Sequence, residues 1–213
     1  MFEDRADAGR QLAKALKEYQ NQDVVVLALP RGGVAVAVEV ANELVAPLDL
    51  IIVRKVGVPY QPELAMGAVI DGSHPLVVRN DDVFYSSGVS EEVFQRECAE
   101  ELKEIERRRA VYFGKRAPID VAGRTVILVD DGIATGATAR VAILGLQQRK
   151  PRKVILAVPV GATETMEALR HEVEEVVCLE EPAALEAIGF HYGYFPQLSD
   201  EEVMQALASN RSR

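Results

Sequence analysis

The residues whose types and spacing could do chemistry lie together in one stretch, residues 126–138. Its first four residues are apolar and rich in β-branched side chains, which predicts a buried strand. Asp130 and Asp131 follow directly, and a turn of glycine, alanine and threonine then leads into a helical pattern. The backbone N–H groups at the start of such a helix bind phosphate well, so the stretch predicts an anion site beside two acids.

The two acids must bind something other than the phosphate, because like charges repel. Carboxylate oxygens suit hydroxyl groups or a divalent cation. A phosphate beside hydroxyls and a metal describes a phosphorylated sugar. A dinucleotide site would need the pattern G-x-G-x-x-G, and a nucleotide P-loop would need G-K-[ST]. The loop contains neither pattern.

The same stretch resembles the thirteen-residue phosphoribosyl pyrophosphate (PRPP) signature of the type I phosphoribosyltransferases. The resemblance implies a Mg²⁺-dependent enzyme that transfers the 5-phosphoribosyl group of PRPP to a nitrogen acceptor, expected to be a nucleobase, and releases pyrophosphate. It implies that Asp130 and Asp131 hold the ribose hydroxyls, directly or through the metal. The residues that it assigns to the 5-phosphate are Ala134, Thr135, Gly136, Ala137 and Thr138.

A second candidate loop follows residues 24–29, an unbroken apolar run that predicts a strand buried on both faces. Two glycines in this loop permit close approach of the backbone to an anion, and an arginine adds a fixed positive charge. By resemblance this is the pyrophosphate loop of the family, which often has a cis peptide; here that bond would be Pro30–Arg31. The residues concerned are Pro30, Arg31, Gly32 and Gly33.

A third loop is predicted at residues 54–63, after an expected strand at residues 50–53. Arg54 and Lys55 would leave that strand together, and the glycine and two prolines that follow are typical of a mobile lid. The pair resembles the start of the catalytic loop in adenine and orotate phosphoribosyltransferases. This resemblance implies that Arg54 and Lys55 bind pyrophosphate and that the lid excludes water. Ordinary surface charges at a strand end are the alternative.

The group that accepts the proton of the attacking nitrogen is not evident from the motif. Ala134 stands where the hypoxanthine-type enzymes carry an aspartate that handles the proton of the base nitrogen. Adenine and uracil enzymes resemble this chain in having a small residue at that position. Glu63, in the predicted lid, is the candidate base. A solvated loop carboxylate is the alternative interpretation of Glu63.

Two regions could form the hood that contacts the acceptor, residues 74–123 and residues 180–198. The second region contains an aromatic cluster that loosely resembles the base-clamping segment of the hypoxanthine-type enzymes. Phe190, Tyr192 or Phe195 could stack on a planar base, and packing against the end of the sheet is the alternative.

Strands that alternate with helices predict an α/β fold, a mostly parallel sheet with helices on both faces, which is the type I phosphoribosyltransferase fold that the resemblance implies. In such sheets ligands bind beyond the carboxyl ends of the strands, which places the loops after residues 29, 53, 129 and 160 at one edge. The helices are expected at residues 5–19, 34–44, 90–112, 136–148, 164–171 and 199–208, and an antiparallel excursion at residues 64–78.

Bulk composition limits the class of protein. With 213 residues, 48% of them apolar, the chain is long enough for one domain over residues 1–213 with a small hood. A net charge of −9 argues against a nucleic-acid partner.

The sequence has neither a run of 18 apolar residues nor a signal peptide, so we expect a cytoplasmic protein. By resemblance it would form a homodimer.

Two other functions stay open. One is a regulator that senses PRPP or a nucleotide on the same fold without catalysis. The other is a PRPP-dependent enzyme with a non-base acceptor, such as ammonia or a small amine.

Overall fold

The computed structural model describes residues 1–72, 75–114 and 116–210. The chain divides into two compact units, Met1–Leu50 with Ile119–Arg213 and Ile51–Pro118. In chain order the elements are α1 (Arg5–Ala15), β1 (Val24–Ala28), α2 (Gly32–Leu44), β2 (Leu48–Leu50), β3 (Val53–Val58), β4 (Gln61–Ile70), β5 (Leu76–Arg79), α3 (Asp81–Ser87), α4 (Glu91–Phe113), β6 (Thr125–Val129), α5 (Ala137–Gln148), β7 (Lys153–Val160), α6 (Thr163–Leu169), β8 (Glu175–Glu180) and α7 (Asp200–Asn210). Short 3₁₀ helices cover Lys17–Tyr19 and Ile188–His191.

The first unit is built on a parallel five-stranded sheet with the order β2-β1-β6-β7-β8. Every residue of β1 and β6 is buried, as their unbroken apolar runs predict for central strands of a parallel sheet. The predicted α/β fold with a mostly parallel sheet is confirmed.

The chain direction across this sheet reverses between β1 and β6. From β1 the chain crosses through α2 to β2 on one side, and from β6 it crosses through α5 to β7 on the other. Because both crossovers are expected to be right-handed, α2 and α5 lie on opposite faces. The loops that follow β1 and β6 therefore flank a crevice, the position where open α/β sheets bind ligands.

Helices α1, α2 and α7 pack together, with α1 against α2 and α2 against α7. A capping box starts α7, since Ser199 and Glu202 each accept a hydrogen bond from the other's backbone N–H. No helix among the described residues is long and apolar enough to cross a bilayer.

The second unit contains an antiparallel sheet with the order β3-β4-β5, against which α4 packs. The predicted antiparallel excursion is confirmed. Phe94, Cys98 and Ile105 of α4 are spaced along one face of the helix and are buried. His74 and Lys115, within the hood range 74–123, lie outside the described residues.

The predicted strand at residues 50–53 and the lid at residues 54–63 are wrong. The parallel strand β2 ends at Leu50, and β3 and β4 form an antiparallel hairpin over most of the predicted lid. Pro59 lies in the turn of this hairpin, and Gly57 lies where the strand register shifts, as at a β-bulge. The segment after residue 53 therefore does not follow a strand of the parallel sheet.

A buried ion pair holds the second unit together. Asp71 is 2% exposed, and its carboxylate accepts hydrogen bonds from Ile52 N at 2.9 Å and from Arg109 Nη1 at 2.7 Å. Arg109 lies near the end of α4, and its side chain is only 11% exposed.

We expect Arg109→Met to lower the free energy of unfolding by about 3–5 kcal/mol, because it removes the cation that faces a buried carboxylate. Urea denaturation followed by circular dichroism measures the change. The control is Arg108→Met on the same helix, where a partly exposed pair with Glu104 predicts a loss below about 1 kcal/mol. Equal urea midpoints for Arg109→Met and Arg108→Met would contradict the inference that Arg109 compensates the buried charge of Asp71.

Candidate active site

The two acids of the signature lie at the carboxyl end of β6, beside the crevice. Asp131 N donates a hydrogen bond to Asp130 Oδ1 at 2.9 Å, which fixes the first carboxylate against the backbone of the second acid. Burial, and then the charge of Asp131, raise the pKa of Asp130 well above its ordinary value. The acid pair is thus placed in an environment that disfavours two negative charges unless a ligand or a cation compensates them.

The small-residue loop after the acids wraps around a cavity of about 130 Å³, lined by Asp130 and residues 132–139. Gly136 has a left-handed backbone with φ of +74° and forms the N-cap of α5. The helix starts one residue later than predicted, so its first N–H groups, which lack intrahelical acceptors, belong to this loop. The structure therefore brings the five predicted phosphate-binding residues around one small concavity.

Contacts from β7 and α6 support this loop. Ile133 N donates to Val160 O at 2.9 Å, and Ala162 N donates to Ile133 O at 3.0 Å. The hydroxyl of Thr165 donates to Ala134 O at 2.7 Å. A Cβ at Gly136 would lie 2.8 Å from Thr165 Cγ2, so the loop and α6 fit together only with glycine there. Sequence reasoning missed Thr165, which belongs to a different element.

The loop between β1 and α2 meets the acids directly. The peptide bond Pro30–Arg31 is cis, as the resemblance implied. A Cβ at Gly33 would lie 2.8 Å from Val129 O, and a Cβ at Gly32 would collide with the carboxylate of Asp131. The sequence predicts that these glycines admit an anion, and what the structure shows is that they make room for the protein's own acidic residues.

The aromatic candidates have different surroundings. Tyr192 is 5% exposed, and its ring packs against Phe2 and stacks on Phe195 with centroids 4.7 Å apart. Its hydroxyl donates to Asp131 O at 2.6 Å. Phe190 is 71% exposed. The packing interpretation therefore describes Tyr192, and Phe190 is the most accessible of the three rings for a planar ligand.

Sequence reasoning missed Arg5 entirely. Its Nε donates to Asp131 Oδ2 at 2.7 Å, and both side chains are largely buried. The two residues are 126 positions apart, so no spacing rule connects them. The only local sign is a cation in the first turn of α1, where the helix dipole disfavours positive charge.

The basic residues of the predicted lid belong to β3 in the second unit. Arg54 Nε donates to Glu101 Oε2 of α4 at 2.6 Å. Lys55 Nζ lies 3.7 Å from Glu63 Oε2 across the hairpin, and both of these side chains are mostly exposed. Because consecutive strand residues point to opposite faces, Arg54 and Lys55 do not present their charges together.

The acid pair is also the place where a metal ion could bind. No group of three or more His, Cys, Asp or Glu side chains in the described part of the chain could form a metal site. One oxygen of each carboxylate is held by the protein, Asp130 Oδ1 by Asp131 N and Asp131 Oδ2 by Arg5. The remaining hard oxygen donors fit Mg²⁺ only if a ligand supplies further oxygens.

Comparisons with known proteins agree with this arrangement. The family profile described as phosphoribosyl transferase domain matches residues 2–194. A Mycobacterium tuberculosis protein, Rv0571c, provisionally assigned as a phosphoribosyl transferase, is 45% identical over 207 residues. That match covers 97% of this chain and 46% of the relative, so the chain spans about half the length of the curated relatives that it matches.

A solved structure covers the whole fold. The crystal structure of TT1426 from Thermus thermophilus is 40% identical, with a TM-score of 0.84 and 98% of each chain covered. A uracil phosphoribosyltransferase from Renibacterium salmoninarum is 39% identical over 69 residues, 32% of this chain and 33% of that protein. The chain belongs to the phosphoribosyl transferase family, a family of pentosyltransferase enzymes.

We expect Thr165→Val to weaken binding of ribose 5-phosphate about three- to tenfold, because the loop loses the hydrogen bond that holds Ala134 O. Isothermal titration calorimetry measures the affinity. Thr163→Val is the matched control on α6, since its hydroxyl donates to Glu181 O instead. If both variants bound like the wild type, Thr165 would not support the phosphate loop.

Proposed function

We propose that this chain transfers the 5-phosphoribosyl group of PRPP to a nitrogen acceptor and releases pyrophosphate. The observation that carries the proposal is the meeting of two loops at the reversal point of the sheet. The acids after β6 contact the glycine loop after β1, and the small-residue loop at the start of α5 continues from the same acids. A phosphate, two ribose hydroxyls and a pyrophosphate then have adjacent binding groups.

The 5-phosphate is assigned to the loop from Ala134 to Thr138. Its backbone N–H groups and two threonine hydroxyls can donate to phosphate oxygens, and the dipole of α5 favours negative charge there. Gly136 and Ala137 add little bulk, so a phosphate can approach the backbone. Support for this assignment comes from the cavity that the loop encloses.

Asp130 and Asp131 are assigned to the ribose hydroxyls. Each carboxylate has one oxygen held by the protein, so its second oxygen can accept from a hydroxyl or bind a cation. Mg²⁺, when bound, would neutralise charge on the pyrophosphate and on the acid pair. In this proposal the two acids hold the ribose hydroxyls, directly or through the metal, and so orient C1 of the sugar toward the acceptor.

Pyrophosphate is assigned to Pro30, Arg31, Gly32 and Gly33, with Arg54 and Lys55 as further cations. As the C1–oxygen bond to pyrophosphate breaks, the bond from C1 to the acceptor nitrogen forms, and negative charge grows on the leaving group. Arg31 stabilises that charge from the start of α2. Lys55 is the better suited of the two residues of β3, because its side chain is 60% exposed while Arg54 is paired with Glu101.

The acceptor nitrogen must lose a proton, and Glu63 is the proposed base. Its side chain is 96% exposed and lies near Lys55, so it is available in the hairpin to a ligand. We propose a nucleobase acceptor held by a hood from residues 74–123, residues 180–198 or both. Phe190, which is 71% exposed, is the proposed stacking group, and Phe195 and Tyr192, which stack on each other, are the further candidates.

PRPP-dependent release of pyrophosphate, measured with Mg²⁺ over purines, pyrimidines, orotate, ammonia and small amines, tests the proposal. Release with one base would establish the transferase and its substrate class. Release with ammonia or an amine would identify the non-base acceptor. PRPP binding without release from any acceptor would contradict catalysis and favour the sensing regulator on the same fold.

We expect the double variant Asp130→Asn with Asp131→Asn to lose Mg²⁺-dependent PRPP binding by at least about a hundredfold, because two charged contacts to the ribose are removed. Calorimetric titration with PRPP measures the loss. Asp81→Asn with Asp82→Asn is the matched control, an adjacent acidic pair in the first turn of α3. Undiminished binding by the first double variant would remove the acids from the proposed site.

A further inference from the structure

Arg5 carries a buried positive charge that the stability of α1 does not explain. It is the first residue of the helix and only 8% exposed. A guanidinium stays charged at any physiological pH, and its burial is costly unless it is paired. The helix dipole adds to that cost, because the first turn favours negative charge. The contacts of Arg5 must therefore compensate for its position.

Three contacts fix the guanidinium group. Nε donates to Asp131 Oδ2 at 2.7 Å, and Nη1 donates to Pro196 O at 2.8 Å. The central carbon lies 3.7 Å from the centroid of the Phe195 ring, a cation–π contact. Together the two hydrogen bonds and the ring set both the position and the plane of the group, which a flexible surface arginine would lack.

The backbone of Asp131 is held by the same cluster. The Tyr192 hydroxyl donates to Asp131 O at 2.6 Å, and the Tyr192 ring stacks on Phe195. Side chain and main chain of this one acid are thus both restrained by residues from outside its own loop. The carboxylate of Asp130, in contrast, accepts a hydrogen bond from the neighbouring backbone N–H.

This restraint has an electrostatic reason. Two adjacent carboxylates repel each other, so a nearby cation stabilises the pair. Arg5 offsets the repulsion and engages Oδ2, so Oδ1 is the oxygen of Asp131 that is left to meet a ligand. A Cβ at Gly32 would collide with this carboxylate, meeting Oδ2 first and lying 2.9 Å from Oδ1, so the Asp131 side chain can take this position only with glycine at residue 32.

We propose that Arg5 is a positioning residue for the sugar: it holds Asp131 through Oδ2 so that Oδ1 accepts a hydrogen bond from a ribose hydroxyl. The inference rests on the proposed function, since it assumes that Asp131 binds the ribose. It assigns to α1 a part in ligand binding that the signature motifs do not contain.

The test separates the sugar from the leaving group. Calorimetric titrations with ribose 5-phosphate and with pyrophosphate, both with Mg²⁺, are compared for the wild type, Arg5→Met and Arg5→Lys. We expect Arg5→Met to weaken ribose 5-phosphate about tenfold or more while pyrophosphate changes less than about twofold. Arg5→Lys keeps the charge but not the planar group, so its loss should be intermediate.

Arg10→Met is the matched control, because Arg10 lies on the same helix, is 53% exposed and pairs only loosely with Asp7 at 3.7 Å. It should bind both ligands like the wild type. If Arg5→Met does not fold, the affinities of Arg5→Lys for ribose 5-phosphate and for pyrophosphate test the proposal instead. Wild-type affinity for ribose 5-phosphate in Arg5→Lys, or equal losses for both ligands in either variant, would overturn the inference.

A double-mutant cycle then tests whether Arg5 affects ribose 5-phosphate binding through Asp131. In an Asp131→Asn background Arg5→Lys should cause little further loss of ribose 5-phosphate binding, because the partner through which it acts is already changed. A full loss in that background would overturn the inference. Failure of the wild type to bind ribose 5-phosphate or pyrophosphate would instead refute the proposed function, and this inference with it.

Discussion

The in-register parallel pairing of β1 with β6 is the interaction on which the candidate site depends. Residues Val24 to Ala28 pair with Thr125 to Val129, and the hydrogen bond from Leu29 N to Val129 O carries the pairing to the end of both strands. The two following loops therefore start side by side. Because the chain leaves these strands in opposite directions, no crossover helix covers the space between the loops.

The pairing of β1 with β6 places two negative charges side by side at a position with little access to solvent. Asp130 and Asp131 end β6, and the glycines after β1 allow the second loop to lie against them. Acids held so closely are stable only with compensating groups, and the protein supplies one of them, Arg5. In the proposed function, the ribose hydroxyl groups and a cation supply the rest of the compensation.

The second unit illustrates where local signals fail. Glycine and proline at residues 57, 59 and 62 suggested an irregular lid, but the same residue types serve equally in a bulge and a hairpin turn. The pairing of β3 with β4 decides between these outcomes, because it satisfies the backbone groups that a loop would leave to solvent. It also separates Arg54 from Lys55, since adjacent residues of a strand face opposite sides.

By itself the sequence determined the alternation of strands and helices that predicts a parallel α/β fold, the acid pair, the small-residue loop and the glycine loop, because each depends on residues close together in the chain. The cis peptide of the glycine loop was implied by the family resemblance. Only the tertiary structure decided how Asp131 is held, that Tyr192 is buried in packing, and that Thr165 supports the small-residue loop. Arg5 and Asp131 are separated by 126 positions, and Thr165 and Ala134 by 31. Contacts over such separations depend on how helices and strands pack, and no local pattern of residues encodes that packing.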